Sequence, residues 1–192
     1  DILIGTQMVS KGLDFDNVTL VGVLNADSML NFPDFRAFER SYQLMSQVAG
    51  RAGRKKKRGK VIIQTGDPDH WIIQKVMYHD YVNMYKQELL ERKNFNYPPF
   101  YKLINITLKH KDVNKVKLGS AEFAKMLKKP LGNRVLGPEQ PMVARIRNLY
   151  LEQITIKFER QASAKKVKEL IIFIYFIKSF LISSIFIISK VF

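Results

Sequence analysis

Three short apolar runs, Ile2–Ile4, Val18–Leu24 and Val61–Ile63, constrain this chain more than any other feature. They are rich in β-branched residues and are separated by polar stretches. Continuously apolar runs of this length fit parallel strands covered on both faces. Between the second and third lies a helical pattern from about Ala37 to Gly50. Strands that alternate with helices predict an open α/β sheet. Asp67-Pro68 then offers an acidic cap and a proline at a first helical position, so one helix is expected to run on through Trp71, Val76 and Leu89 to about Lys93. Asn96-Tyr97-Pro98-Pro99 ends it, because proline removes a donor and disfavours helix just before itself. A domain boundary is expected there, giving residues 1–97 and 98–169.

The second segment predicts a small α+β domain in β-α-β-β-α order. Ile104, Ile106 and Leu108 alternate with polar neighbours in a strand over Tyr101–Lys109. Asp112 is placed to cap a helix to about Lys128, and Pro130, Gly132, Gly137, Pro138 and Pro141 read as a long turn-rich connection. Met142–Arg147 and Gln153–Glu159 read as an antiparallel pair, and a short helix begins near Ala162.

Charge narrows the partner. The 192 residues hold 32 Lys+Arg against 17 Asp+Glu, a net charge of +15. Such a surplus favours a polyanion, nucleic acid first and an anionic membrane second. There is no cysteine, which excludes a disulfide scaffold and a thiolate zinc site within these residues. His70, His79 and His110 have no metal-ligand spacing. The chain starts without Met and in mid-pattern, so it is expected to be part of something longer.

The strongest chemical signal is Gln47-Val48-Ala49-Gly50-Arg51-Ala52-Gly53-Arg54. On a helix or helical turn, Gln47, Arg51 and Arg54 share a face. Gly50 and Gly53 remove side chains beside the two guanidiniums, so a phosphate or a neighbouring backbone could approach. Forked guanidiniums suit a transferring phosphoryl group, whose charge spreads over its oxygens. The octet alone also reads as a basic helix end with glycine stops. Gly5-Thr6-Gln7-Met8-Val9-Ser10-Lys11-Gly12-Leu13-Asp14 follows an apolar run, and ligands in open α/β sheets sit beyond the carboxyl ends of strands. Taken alone, it reads equally as a polar loop with a structural aspartate. Arg51–Lys60 holds seven basic residues and no acid, a solvated turn or a phosphate track. Arg145, Arg147 and Tyr150 form a weaker basic-aromatic cluster, for which a structural role at a sheet edge competes with a DNA contact. Trp71, Tyr78, Tyr81 and Tyr85 read as helix packing.

Together the two blocks resemble motifs V and VI of superfamily-2 helicases. Their wording, with Asn25-Ala26-Asp27, Phe32-Pro33-Asp34-Phe35-Arg36-Ala37, Tyr97-Pro98-Pro99-Phe100 and Val135-Leu136-Gly137-Pro138, resembles the primosomal protein N′ family of replication-restart helicases over roughly residues 1–169. The resemblance implies a second RecA-like lobe followed by a C-terminal domain that contributes to DNA-fork binding. It implies Arg51 and Arg54 as arginine fingers, with Gln47, Asp14 and Gly12 near the nucleotide. Thr6, Gln7, Lys11, Lys55, Lys56, Lys57 and Arg58 would lie near DNA. ATP and Mg would be shared with an upstream lobe, because no phosphate loop and no Asp-Glu-x-His stretch occurs here, and the family's zinc module would also lie upstream. The expected partners are forked or single-stranded DNA, primosome proteins and single-strand-binding proteins, and the expected location is the cytoplasm. The chain alone is expected not to hydrolyse ATP.

Leu170–Phe192 departs from that pattern. It is apolar except for Lys178, Lys190 and four serines, and lacks Ala, Gly, Pro and acids. Out-of-frame translation of an AT-rich gene, core strands or helix, and a membrane anchor of about 20 residues all fit. Lys178 argues against the anchor. The out-of-frame reading would cost the C-terminal domain its last strand.

Overall fold

The computed structural model describes residues 2–5, 18–52, 59–178 and 186–191. They form two compact units, Asp1–Glu91 and Arg92–Phe192.

The first unit is built on two parallel strands, β1 (Leu20–Val23) and β2 (Lys60–Ile63), in register Leu20 with Lys60 through Val23 with Ile63. Burial alternates along both strands, so the sheet is covered on one face. Val21, Val23, Val61 and Ile63 are half-buried, while Leu20 and Ile62 are exposed. This corrects the expectation of strands covered on both faces: an unbroken apolar run does not itself specify two partners. Ile2–Ile4 is not a strand and is exposed, since three apolar residues carry too little periodicity to fix a pairing.

Helices α1 (Asp27–Leu30) and α2 (Ala37–Ala49) follow β1, and α3 (Trp71–Met77) and α4 (Tyr81–Asn94) follow β2. Tyr42 and Met45 of α2 pack with Ile72, Ile73 and Val76 of α3 and with Met84 of α4. The expected single helix from Asp67-Pro68 is thus two helices with a different start. His70 caps α3, its Nδ1 accepting from the Ile72 amide at 3.2 Å. The helix then breaks at His79, whose φ is 52°. Asp80 restarts it, accepting from Asn83 N at 3.2 Å and from Lys75 Nζ at 2.7 Å. A short acid that bonds its own backbone competes with helix continuation.

The second unit is a two-layer sandwich. Its sheet runs β4 (Val135–Glu139), β6 (Leu149–Glu159), β3 (Tyr101–His110), β7 (Phe186–Val191), all antiparallel, with β5 (Arg145–Ile146) hairpinned onto β6. Helix α5 (Val113–Leu131) connects β3 to β4, and α6 (Ala164–Lys178) connects β6 to β7. The resulting β-α-β-β-α-β order with the first and third main strands central is the ferredoxin-like arrangement. Asp112 caps α5 through Asn114 N at 2.8 Å and Lys115 N at 3.3 Å. Val116, Phe123, Ala124 and Leu127 recur at helical spacing and meet Ile104, Ile106, Leu108, Ile154, Ile156 and Phe158. The helix passes Pro130 and ends at Leu131, because a proline in the last turn forfeits only one internal bond.

One feature of this unit differs from expectation. Val135–Glu139 is a strand, although its Gly-Pro pair reads as a turn. Gly137 lies at φ 90°, where an added Cβ would meet Gln153 O at 2.9 Å and Glu139 N at 3.1 Å. The register shifts there, so Gly137 and Pro138 form a bulge within the strand. The apolar tail also contributes to the domain. Ile171 and Ile174 are buried in the core, and residues 186–191 pair with β3 in the fourth strand position. Among the described residues, no helix is long and apolar enough to cross a membrane.

The start of this unit is pinned by Lys157. Its ammonium donates to Phe95 O at 2.9 Å and lies 3.5 Å from the centre of the Tyr97 ring, and burial lowers its pKa.

Candidate nucleotide and nucleic-acid site

Parallel strands place their following loops at one edge, where ligands of open α/β sheets gather. In the first unit these are Leu24–Ala26, after β1, and Gln64–Asp67, after β2. They are tied together. Ala26 N donates to Gln64 O at 2.9 Å, and Asn25, at φ 51°, donates its amide to Gln64 Oε1 at 3.3 Å. Asp27 accepts from the Thr65 hydroxyl and from Gly66 N at 2.8 Å. The Thr65 bond, then the Gly66 amide, then nearby His70 hold its carboxyl below the usual range. A side chain at residue 66 would crowd this carboxylate, since a Cβ there falls 3.3 Å from Asp27 Oδ2. Sequence reasoning gave Asp27 no role. Its signal was an acid directly after a strand, but its partners lie 38 and 39 residues away.

Phe32–Arg36 then turns the chain into α2. Asp34 accepts from Arg36 N at 2.9 Å and from Arg40 Nη1 at 2.7 Å. Arg36 forks onto Glu39 at 3.1 and 3.0 Å, which raises the guanidinium pKa. Gln43 reaches the same carboxylate at 3.3 Å. A polar, hydrogen-bonded side therefore runs along α2 opposite buried Tyr42 and Met45.

That side leads to Gln47, which is exposed. Past Ala49 the chain makes one further turn. Gly50 N donates to Ser46 O at 3.0 Å, Arg51 N to Val48 O at 3.0 Å, and Ala52 N to Ala49 O at 3.1 Å. Half-buried Arg51 thus follows Gln47 by one helical turn. Gly50 is helical at φ −65°, and a Cβ there would make only ordinary contacts at 3.5 and 3.6 Å. Glycine at 50 is therefore not demanded by backbone geometry. Arg54, Lys55, Lys56, Lys57 and Arg58 lie outside the described residues, as do Thr6, Gln7, Lys11, Gly12 and Asp14.

The aromatic residues divide. Trp71 packs edge-on against Phe38 at 5.3 Å. Tyr81 and Tyr85 stack at 6.1 Å but are exposed, as is Tyr78, so these tyrosines line a surface rather than a core. In the second unit, Arg145 sits 4.9 Å from the centre of the Tyr150 ring and donates to Asn148 Oδ1 at 3.0 Å.

Known proteins match along most of this chain. Residues 93–174 match the family model described as the primosomal protein N C-terminal domain. The chain is 48% identical over 175 residues to a replication restart protein PriA of Bacillus subtilis, covering 88% of this chain and 22% of that protein. A PriA of Synechocystis is 44% identical over 82% of this chain and 19% of its own length. A PriA of Treponema pallidum is 43% identical over 82% of this chain and 24% of its own length. The chain therefore spans about a fifth to a quarter of the length of these three relatives. With a β-α-β-β-α run at the matched residues, this chain belongs to the PriA family and carries that family's C-terminal domain.

Proposed function

We propose that this chain supplies the second RecA-like lobe and the C-terminal domain of an ATP-dependent 3′-to-5′ DNA helicase for replication restart and primosome assembly. The observation that carries this reading is the delivery of Gln47 and, one turn later, Arg51 by a helix between two parallel strands. It occurs in a chain 48% identical to a protein named for replication restart.

Arg51 and Arg54 act as arginine fingers. Their guanidiniums stabilise the charge that spreads over a terminal phosphoryl group in flight, and neither exchanges a proton while doing so. Gln47 senses the nucleotide from the preceding turn, and Gly12 and Asp14 are proposed to share in binding that nucleotide. Thr6, Gln7 and Lys11 pass lobe closure to the DNA strand, and Lys55, Lys56, Lys57 and Arg58 neutralise phosphates. Among the described residues there is no group of three or more acidic or histidine side chains fit to hold a metal ion. The fingers proposed here are cationic, and the same reading has Mg-ATP bound chiefly by an upstream lobe. The Asp27 clasp and the Asp34–Arg40 pair hold the strand-edge loops and the start of α2 in place.

The test joins this chain to its upstream lobe and changes Arg51 or Arg54 to Ala. DNA-stimulated ATPase should fall by about 10³–10⁵ in kcat while DNA affinity stays near parental. Near-parental turnover in both variants would overturn the finger assignment and leave a cationic docking module, the reading that a net charge of +15 favours by itself.

A further inference from the structure

The hairpin of β5 and β6 has features that sheet formation does not explain. Arg145 pairs with Tyr150 and Ile146 with Leu149 across a two-residue tip, Arg147-Asn148. Strand β3 ends at His110, opposite Tyr150, so Arg145 is level with its end and residues 146–149 project past it. Both tip residues have positive φ, 47° for Arg147 and 63° for Asn148. Asparagine tolerates that conformation, but arginine is an unusual choice where glycine would be unstrained. Arg145 is held against the Tyr150 ring at 4.9 Å and tied to Asn148 at 3.0 Å. Ile146 is 45% exposed, Met142 69% and Val143 56%. No acidic residue occurs between Gln140 and Leu151.

We propose that this hairpin is a contact finger for single-stranded DNA, with Arg145 and Arg147 on phosphates and Ile146, Met142 and Val143 beneath unstacked bases. The inference rests on the reading that the chain acts on DNA, and locates one place where it does so. Cations interleaved with exposed apolar side chains suit a strand that offers both phosphates and bare base faces. Duplex DNA hides those faces, and an acidic peptide has none to offer. The pinned guanidinium loses little freedom on binding, and the strained tip at Arg147 has a use that sheet pairing does not supply.

The experiment uses the 192-residue chain and a fluorescein-labelled oligo-dT of about 20 nucleotides, read by anisotropy against salt. Arg145→Ala and Arg147→Ala should each weaken binding about 5–20-fold and reduce the salt slope by about 1. Arg145→Lys should restore the slope but not the affinity. Ile146→Ser should weaken oligo-dT about 5-fold and leave a duplex of equal length unchanged. Lys128→Ala, at an exposed position of α5, should change binding less than about 2-fold. An equal loss from Lys128→Ala, or an unaffected Ile146→Ser, would overturn the proposal in favour of diffuse cationic binding. Displacement by a poly-glutamate peptide as readily as by oligo-dT would assign the hairpin to an acidic protein partner. Should Arg145→Ala disturb the far-UV spectrum, Arg147→Ala at the solvent-facing tip decides the matter. Absence of any binding by the parent chain would refute the DNA reading itself, whereas parental binding with indifferent hairpin variants refutes the finger alone.

Discussion

The two units solve the problem of covering a sheet differently. In the second unit, two helices cover one face of an antiparallel sheet, and fourteen buried residues among those described form one core. In the first, among the described residues, helices gather around a two-stranded parallel pair with eight buried core residues, and Leu20 and Ile62 of its strands stay exposed. Parallel sheets are normally covered on both faces, and two strands rarely suffice for independent stability. The first unit therefore has the character of a platform for strand-edge loops. The second has that of a self-contained domain whose added elements, such as the hairpin, can project without weakening its core.

The largest test of this contrast is truncation within each core. Phe123 and Met45 are both 0% exposed. Phe123→Ala should cost about 3–5 kcal/mol and Met45→Ala about 2–5 kcal/mol. The chain has a single tryptophan, Trp71, which packs on Phe38 in the first unit. Met45→Ala should lower the urea midpoint reported by Trp71 fluorescence, while Phe123→Ala should lower the midpoint reported mainly by far-UV circular dichroism. Coincident shifts in both probes for both variants would merge the cores into one cooperative body and end the comparison.

Gly137→Ala comes next. A methyl group at φ 90° would be strained, and it would sit 2.9 Å from a backbone carbonyl of β6. Neighbouring backbone cannot rotate away as a flexible side chain could. A loss of about 2–3 kcal/mol is expected in the second unit alone. Gly50→Ala in the first unit should be close to neutral for stability, because its Cβ makes ordinary contacts. Comparable losses in the two variants would contradict the bulge at β4.

These positions also show what a sequence can disclose. Strands β1 and β2 were legible as short β-branched runs, and strand β3 and helices α2 and α5 because their apolar residues recur at one period over the whole element. Strand β4 was not, since Gly137-Pro138 has the composition of a turn and only the neighbouring strand makes it a bulge. The break at His79 was hidden because Tyr78, Tyr81 and Tyr85 continue a helical spacing across it. The tail's place beside β3 depends on a pairing over about 80 residues of chain, which local periodicity does not carry. In the first unit, the one-turn relation of Gln47 to Arg51 was legible because a helix converts spacing into geometry. The Asp27 clasp was not, because Thr65 and Gly66 reach it from the next strand.

The smallest expected effect concerns acid stability, where the two units invite a matched pair of variants. Asp80 is held down to about 2, first by its bond from Lys75 and then by those from Asn83. Arg134 likewise keeps Glu159 below the usual carboxylate range. A carboxylate with a depressed folded pKa stabilises the protein above its unfolded value, near 4, and that stabilisation disappears as pH falls through the folded value. Asp80→Asn should therefore flatten the fall of the Trp71 midpoint between about pH 4 and pH 2. Arg134→Ala should flatten the corresponding fall in the far-UV midpoint while leaving the Trp71 curve as it is. Both pairs are partly exposed, at 26% for Lys75 and Asp80 and 47% and 44% for Arg134 and Glu159. Screening should therefore diminish both effects in about 1 M salt. An Asp80→Asn curve superimposable on the parent would show that the acid limb of the first unit arises elsewhere, and Asp27, held down by Thr65 and Gly66, is then the group to change.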